Sequence, residues 1–173
     1  AAILRDGHWQ SRDYPGLSWE LMPGDFQSTM TSAPAQPEVI FYDMFSGTTS
    51  GDQWSLKAFQ RLFAACDGCG AELFTYTMST AVRAAMLVAG FQVAMGRSTG
   101  KKSETTIAFT SPALANGLAT RHELLGAEWL AKWRRSQARI PAWVPPEDEI
   151  TFAEAVLNHP QFVPGTTEAF SKE

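Results

Sequence analysis

The sequence predicts an α/β fold, with strands and helices alternating along one sheet. Three observations carry this expectation. Val39-Ile40-Phe41-Tyr42 is a continuous run of strand formers within residues 38–45. Two stretches with helical apolar spacing, 56–66 and 81–90, flank a second apolar strand at 71–77. Two further strand-like runs, 91–97 and 103–110, follow each other across a short connection. Strands that alternate with helices imply a sheet with right-handed crossovers.

Each element has its own signal. The chain opens in what reads as the end of a helix or a loop. Residues 17–22, LSWELM, are short and apolar, and Pro23-Gly24-Asp25 punctuates them. That is a strand entering a turn, and it counts as the first strand of the sheet. Phe26 to Met30 opens a short helix, and the prolines of TSAPAQP make a loop. The unbroken apolar run at 39–42 suits a central parallel strand covered on both faces. Ser55 is placed to cap a helix whose apolar face is Leu56, Phe59, Leu62 and Phe63, with Gly68 and Gly70 beyond its end. Ser79 or Thr80 caps the next helix, with Val82, Met86 and Ala89 on one stripe and Gly90 just past its end. The short connection 98–102 makes 91–97 and 103–110 an antiparallel hairpin at the end of the sheet.

After Thr110 the character changes. Residues 121–139 read as one amphipathic helix, with Leu125, Trp129 and Trp133 four apart and a net charge of +3. Residues 140–149 form a proline-rich extended linker. Residues 151–162 make one short helix stopped by Pro160, and a loose tail follows. The expected division is a core over 1–110 and a helical, proline-rich extension over 111–173.

Bulk properties exclude several classes. The 173 residues carry a formal charge of −4. An acidic chain attracts nucleic acid only through a local basic patch. No apolar run reaches the roughly 18 residues of a membrane span, and residues 1–10 are charged and lack a signal segment. A soluble, cytoplasmic protein is expected. Cys66 and Cys69 form a lone CxxC without the second pair or histidines a zinc site needs, and His8, His122 and His159 are scattered. No metal is expected.

In open α/β sheets, ligands sit beyond the carboxyl ends of the strands. Two acids occupy such positions in this reading, Asp25 and Asp43. Each has a plain alternative as an aspartate capping a turn.

From Phe41 to Trp54 the chain reads FYDMFSGTTSGDQW, an apolar strand followed by Asp-x-Phe, a small residue and a later Trp. In this stretch it resembles the MnmC-like methyltransferases. Residues 75–91, TYTMSTAVRAAMLVAGF, and 96–104, ending Gly-Lys-Lys-Ser-Glu, extend the resemblance. Together the similar region runs from about Leu17 to about Thr110. Gly47 and Gly51 stand where the family has proline, Ser50 replaces an asparagine, Asp52 a glutamate, and Ser103 a frequent arginine.

The resemblance implies a class I, Rossmann-like methyltransferase sheet, of which this chain holds the C-terminal part. It implies an S-adenosylmethionine-dependent methyl transfer to an aminomethyl group on the wobble uridine of tRNA. Asp43 is the implied catalytic carboxylate and also lies in the cofactor site. Gly24, Asp25 and Phe26 resemble the group that reads the adenine. Phe45, Trp54 and Tyr76 are aromatics on which a flipped base stacks, unless they are plain core. Arg83, Arg97, Lys101 and Lys102 are candidates for phosphate contacts, unless they form a solvated rim. The basic helix around Arg134 and Arg135 is a further place to hold tRNA. Family members carry a glycine-rich strand-to-helix turn for the cofactor, which this sequence lacks; Gly68-Cys69-Gly70 precedes a strand and does not follow one. That gap keeps a second reading open, a non-catalytic or partner-dependent module that binds RNA. Bifunctional relatives add a flavin domain, but no dinucleotide fingerprint occurs here, so no flavin is expected.

Overall fold

A computed structural model describes residues 2–45, 51–66, 70–98, 104–111 and 122–163. Two compact units emerge, residues 1–34 and 35–173.

The first unit begins with a short helix α1, Ala2–Asp6. It continues into a two-stranded antiparallel ribbon of β1, His8–Gln10, and β2, Ser18–Glu20, with Trp9 opposite Trp19. The strand expected at 17–22 exists, but it is not a strand of the main sheet. It pairs with His8–Gln10, and all three of its residues are exposed. The period-2 pattern of SWE specifies a strand and says nothing about its partner. Gly24 then turns the chain with φ +144°, a conformation glycine tolerates. Asp25 caps the one-turn helix α2, Phe26–Thr29.

The second unit holds a five-stranded sheet. Its strands are β3 (Val39–Phe41), β4 (Glu72–Thr75), β5 (Gln92–Gly96), β6 (Thr105–Phe109) and β7 (Glu123–Leu124), in the spatial order β3-β4-β6-β5-β7. β3 and β4 run parallel, and β6 lies antiparallel between β4 and β5. The expected hairpin is present. Its second strand folds back into the sheet, leaving β7 to pair with β5 at the far edge. The connection 99–103 is outside the described residues.

β3 departs from expectation. It is an edge strand among the described residues, with Val39 50% and Phe41 80% exposed. An apolar run identifies a strand made to be covered but does not say that the cover lies within the same stretch of chain.

Helix α3, Leu56–Ala65, starts on Ser55, whose hydroxyl accepts from the Ala58 amide. Helix α4, Thr80–Val88, starts on Ser79 in the same way. Gly90 follows the end of α4 at φ +109°, where a β-carbon would meet the Phe63 ring at 3.1 Å. α3 and α4 pack together. Phe59, Leu62, Met86 and Leu87 join Leu73, Phe91, Val93 and Phe109 in the core. Each such side chain contributes roughly 1.5–3 kcal/mol by leaving water.

The single helix expected over 121–139 is shorter. Glu123–Leu124 is drawn into the sheet, Gly126 breaks the run, and helix α5 spans Ala127–Arg135. Trp129 and Trp133 are buried as the four-residue spacing implied. The proline-rich linker is less extended than its composition suggests. A 3-10 turn at Pro146–Asp148 leads directly into helix α6, Glu149–Leu157, which packs on α4. Pro160 begins a further 3-10 turn, where Gln161 bonds the amide and carbonyl of Val93 and the carbonyl of Leu125, at 2.7, 2.8 and 2.8 Å.

Candidate active site

Parallel β3 and β4 place their carboxyl ends side by side. The Tyr42 amide continues the ladder by donating to the Phe74 carbonyl at 2.8 Å, so Asp43 sits just past the last bonded pair. Asp43 is exposed and lines a cavity of about 330 Å³ with Phe41, Phe74, Thr75, Tyr76 and Thr106. This is the strand-end position from which α/β sheets work.

Three aromatic side chains hold the segment carrying Asp43. Tyr76 donates its hydroxyl to the Met44 carbonyl at 2.6 Å. Trp54 donates its indole N–H to the Phe45 carbonyl at 2.7 Å. Tyr42 donates to the Gln53 carbonyl. The rings meet edge to face, Trp54 with Tyr42 at 5.4 Å and with Tyr76 at 5.9 Å. Such contacts contribute about 0.5–1.5 kcal/mol beyond area. Burial pushes the Tyr42 hydroxyl well above the usual phenol range, and the nearby charge of Asp52 adds to this. Tyr42 is therefore a fixed donor and not a proton carrier at neutral pH.

The other expected site residues divide as follows. Phe45 is 76% exposed and offers a ring face. Tyr76 is half-buried and lines the Asp43 cavity. Trp54 is buried within the aromatic cluster, so its main contribution is to packing. Arg83 is not a phosphate contact: it is 2% exposed, and its guanidinium bonds the Thr106 hydroxyl, the Thr105 carbonyl and the Glu104 carboxylate at 2.9, 2.8 and 3.2 Å. Burial lowers its pKa while Glu104 opposes the shift. Arg97 is exposed. Lys101 and Lys102 lie outside the described residues. Gly24, Asp25 and Phe26 belong to the first unit, where the Asp25 carboxylate accepts from the Ser28 amide and hydroxyl at 3.0 and 3.1 Å.

One residue escaped the sequence reading. Thr75, at the end of β4, is buried beside the cavity, and its hydroxyl has no hydrogen-bond partner among the described residues. Buried hydroxyls are rarely left so, and a bound polar group would relieve the cost. Its signal was weak, since threonine is a common strand residue. Among the described residues no cluster of His, Cys, Asp or Glu could hold a metal, and no helix is long and apolar enough to cross a membrane.

Residues 9–111 match the family model of the S-adenosyl-L-methionine-dependent methyltransferases. The chain belongs to this family. This methyltransferase chain is 33% identical over 88 residues to the tRNA 5-methylaminomethyl-2-thiouridine biosynthesis bifunctional protein MnmC of Ralstonia nicotianae. The aligned part is 51% of this chain and 13% of that protein. In three dimensions it resembles the crystal structure of MNMC2 from Aquifex aeolicus, with a TM-score of 0.60 and 18% identity, over 90% of this chain and 48% of that one. The methyltransferase chain thus spans about half of that solved relative, and the likeness establishes the shared Rossmann-like fold.

Proposed function

We propose that this chain forms the amine-accepting side of a methyltransferase that acts on an aminomethyl group of the tRNA wobble uridine. The observation that carries the reading is Asp43, exposed at the end of a parallel strand on a cavity with further hydroxyl groups. An aminomethyl group is an ammonium at neutral pH and has no lone pair to give. A carboxylate within hydrogen-bond reach accepts its proton and aims the nitrogen. A carboxylate also stabilises the ammonium, so aiming is the larger part of the role. Tyr76 and Trp54 hold the backbone next to Asp43, which keeps that aim fixed.

S-adenosylmethionine would supply the sulfonium methyl group. The residues suit the acceptor side of that encounter. A cavity of about 330 Å³ takes a nucleobase or an amino-acid-sized group. The donor's nucleoside needs more space than this cavity gives. In this reading the chain to residue 110 carries the transfer chemistry and 111–173 forms an extension. A tRNA-modifying role is compatible with the cytoplasmic location expected from the sequence.

The test is single-turnover methylation of tRNA by the full-length gene product. Asp43→Ala should lower the transfer rate about 10²–10⁴-fold and leave cofactor affinity within a few-fold. Turnover like wild type would overturn the role of Asp43. Gly47 and Gly51, which stand where the family has proline, favour a second reading, a partner-dependent RNA-binding module. Calorimetry decides between them, since no heat on titrating the intact protein with S-adenosylmethionine supports the module.

A further inference from the structure

A cavity larger than the one at Asp43 is also present. It measures about 1070 Å³, and its lining is largely apolar, with Trp54, Tyr76, Val82, Ile140, Pro141 and Trp143 among it. Asp52, Ser55, Lys57 and Ser79 give it a polar rim. Trp143 lines this cavity and is 38% exposed. The segment Ile140–Ala142 also walls a second cleft of about 540 Å³, which carries Arg135 and Arg139, with Glu149 as its carboxylate. Lys132, Arg134 and Arg135 make the last turn of α5 basic, and Arg134, Arg135 and Arg139 are exposed. Arg139 is oriented by a bond to the Arg134 carbonyl at 3.1 Å. Tyr76 lines both the large cavity and the Asp43 cavity.

An apolar slot with an open tryptophan accepts a flat ring. A neighbouring cleft with two arginines accepts a phosphodiester. The two requirements meet in one molecule, a nucleotide whose base is unpaired. We infer that these two clefts, which share the Ile140–Ala142 wall, hold the nucleotide adjacent to the one presented to Asp43, its base against Trp143 and its phosphate toward Arg135 and Arg139. The inference rests on the reading of the substrate as RNA. It gives residues 135–143 the task of gripping the strand, and the net acidity of the chain then requires that the grip be local.

Fluorescence anisotropy with the intact protein tests it, using a short labelled RNA hairpin with an unpaired loop and a blunt RNA duplex of the same stem. The hairpin should bind more tightly. Trp143→Ala should weaken hairpin binding about tenfold or more, and Trp143→Phe should restore most of it. Arg135→Glu, at an exposed position, should weaken binding and reduce the salt dependence of affinity by about one unit of slope or more, which Trp143→Ala should leave alone. Equal affinity for hairpin and duplex, or wild-type binding by Trp143→Ala or by Arg135→Glu, overturns the inference. Binding and methylation separate the two proposals. If Trp143→Ala methylates tRNA with unchanged KM, the grip is wrong and the enzyme stands. If hairpin binding depends on Trp143 but no methyl is transferred, the grip stands and the enzyme falls.

Discussion

Arg83 shows how a single side chain can be misread from sequence and still explain a fold. Its guanidinium reaches three acceptors on or beside β6 from inside α4. Removing a buried charged group with such bonds leaves its acceptors unpaired, which costs about 3–5 kcal/mol. Arg83→Ala should therefore lower the denaturation midpoint strongly. Arg83→Lys should recover only part of the loss, because one ammonium cannot span a fork of acceptors. Full stability of the lysine variant in urea would refute the staple. The hint was present: a lone cation in the apolar run AVRAAMLV is either out of place or paired inside. The partner was not legible, since Thr106 lies 23 residues away. Asp43 was legible because strand-end acids need only the strand to be recognised. Thr75 was not, because an unpartnered hydroxyl is a property of its surroundings.

At the scale of elements, capping chemistry transferred well. Ser55, Ser79 and Gly90 do what their residue types imply. Elements failed where a strand of two residues or a turn interrupted a good helical pattern, as at Glu123–Leu124. The C-terminal turn after α6 offers a pH test. His159 is buried, and its Nδ1 accepts from the Gln161 amide at 3.2 Å, which only an unprotonated nitrogen can do. Burial brings its pKa down to about 4 from an ordinary 6.5. The folded state thus prefers the neutral ring. Its contribution is complete above pH 6.5 and declines as pH falls toward 4. The loss should be about 2 kcal/mol, since water screens part of the ring. Urea unfolding of wild type and His159→Gln across this range measures it. Parallel profiles for the two proteins would show that His159 does not titrate with folding. Gln161, whose amide ties this turn to β5 and Leu125, makes the same region sensitive to any opening.

Over the whole molecule, composition and alternation were enough for the fold class but not for strand order. A hairpin's length does not tell on which side its second strand will fall, and a strand's apolar content does not tell whether it is central. Both questions are decided by pairings distant in sequence. Among the described residues, Val39 and Phe41 expose apolar surface on an edge strand, a setting that invites pairing with another chain. The chain on its own should self-associate as its concentration rises. Phe41→Lys should reduce that association in sedimentation velocity, with melting unchanged within about 1 kcal/mol, as expected for an exposed site. Equal association by the variant would place the sticky surface elsewhere.

The antiparallel strand β6 has a further consequence for how the sheet is joined. β5 reaches β4 only through β6, which is made after both. Without residues 105–109 the β3–β4 pair and the β5–β7 pair share no strand pairing with each other. Thr105 and Thr106, which bond the Arg83 guanidinium, belong to that same strand, so the piece that joins the two halves of the sheet also satisfies the buried charge.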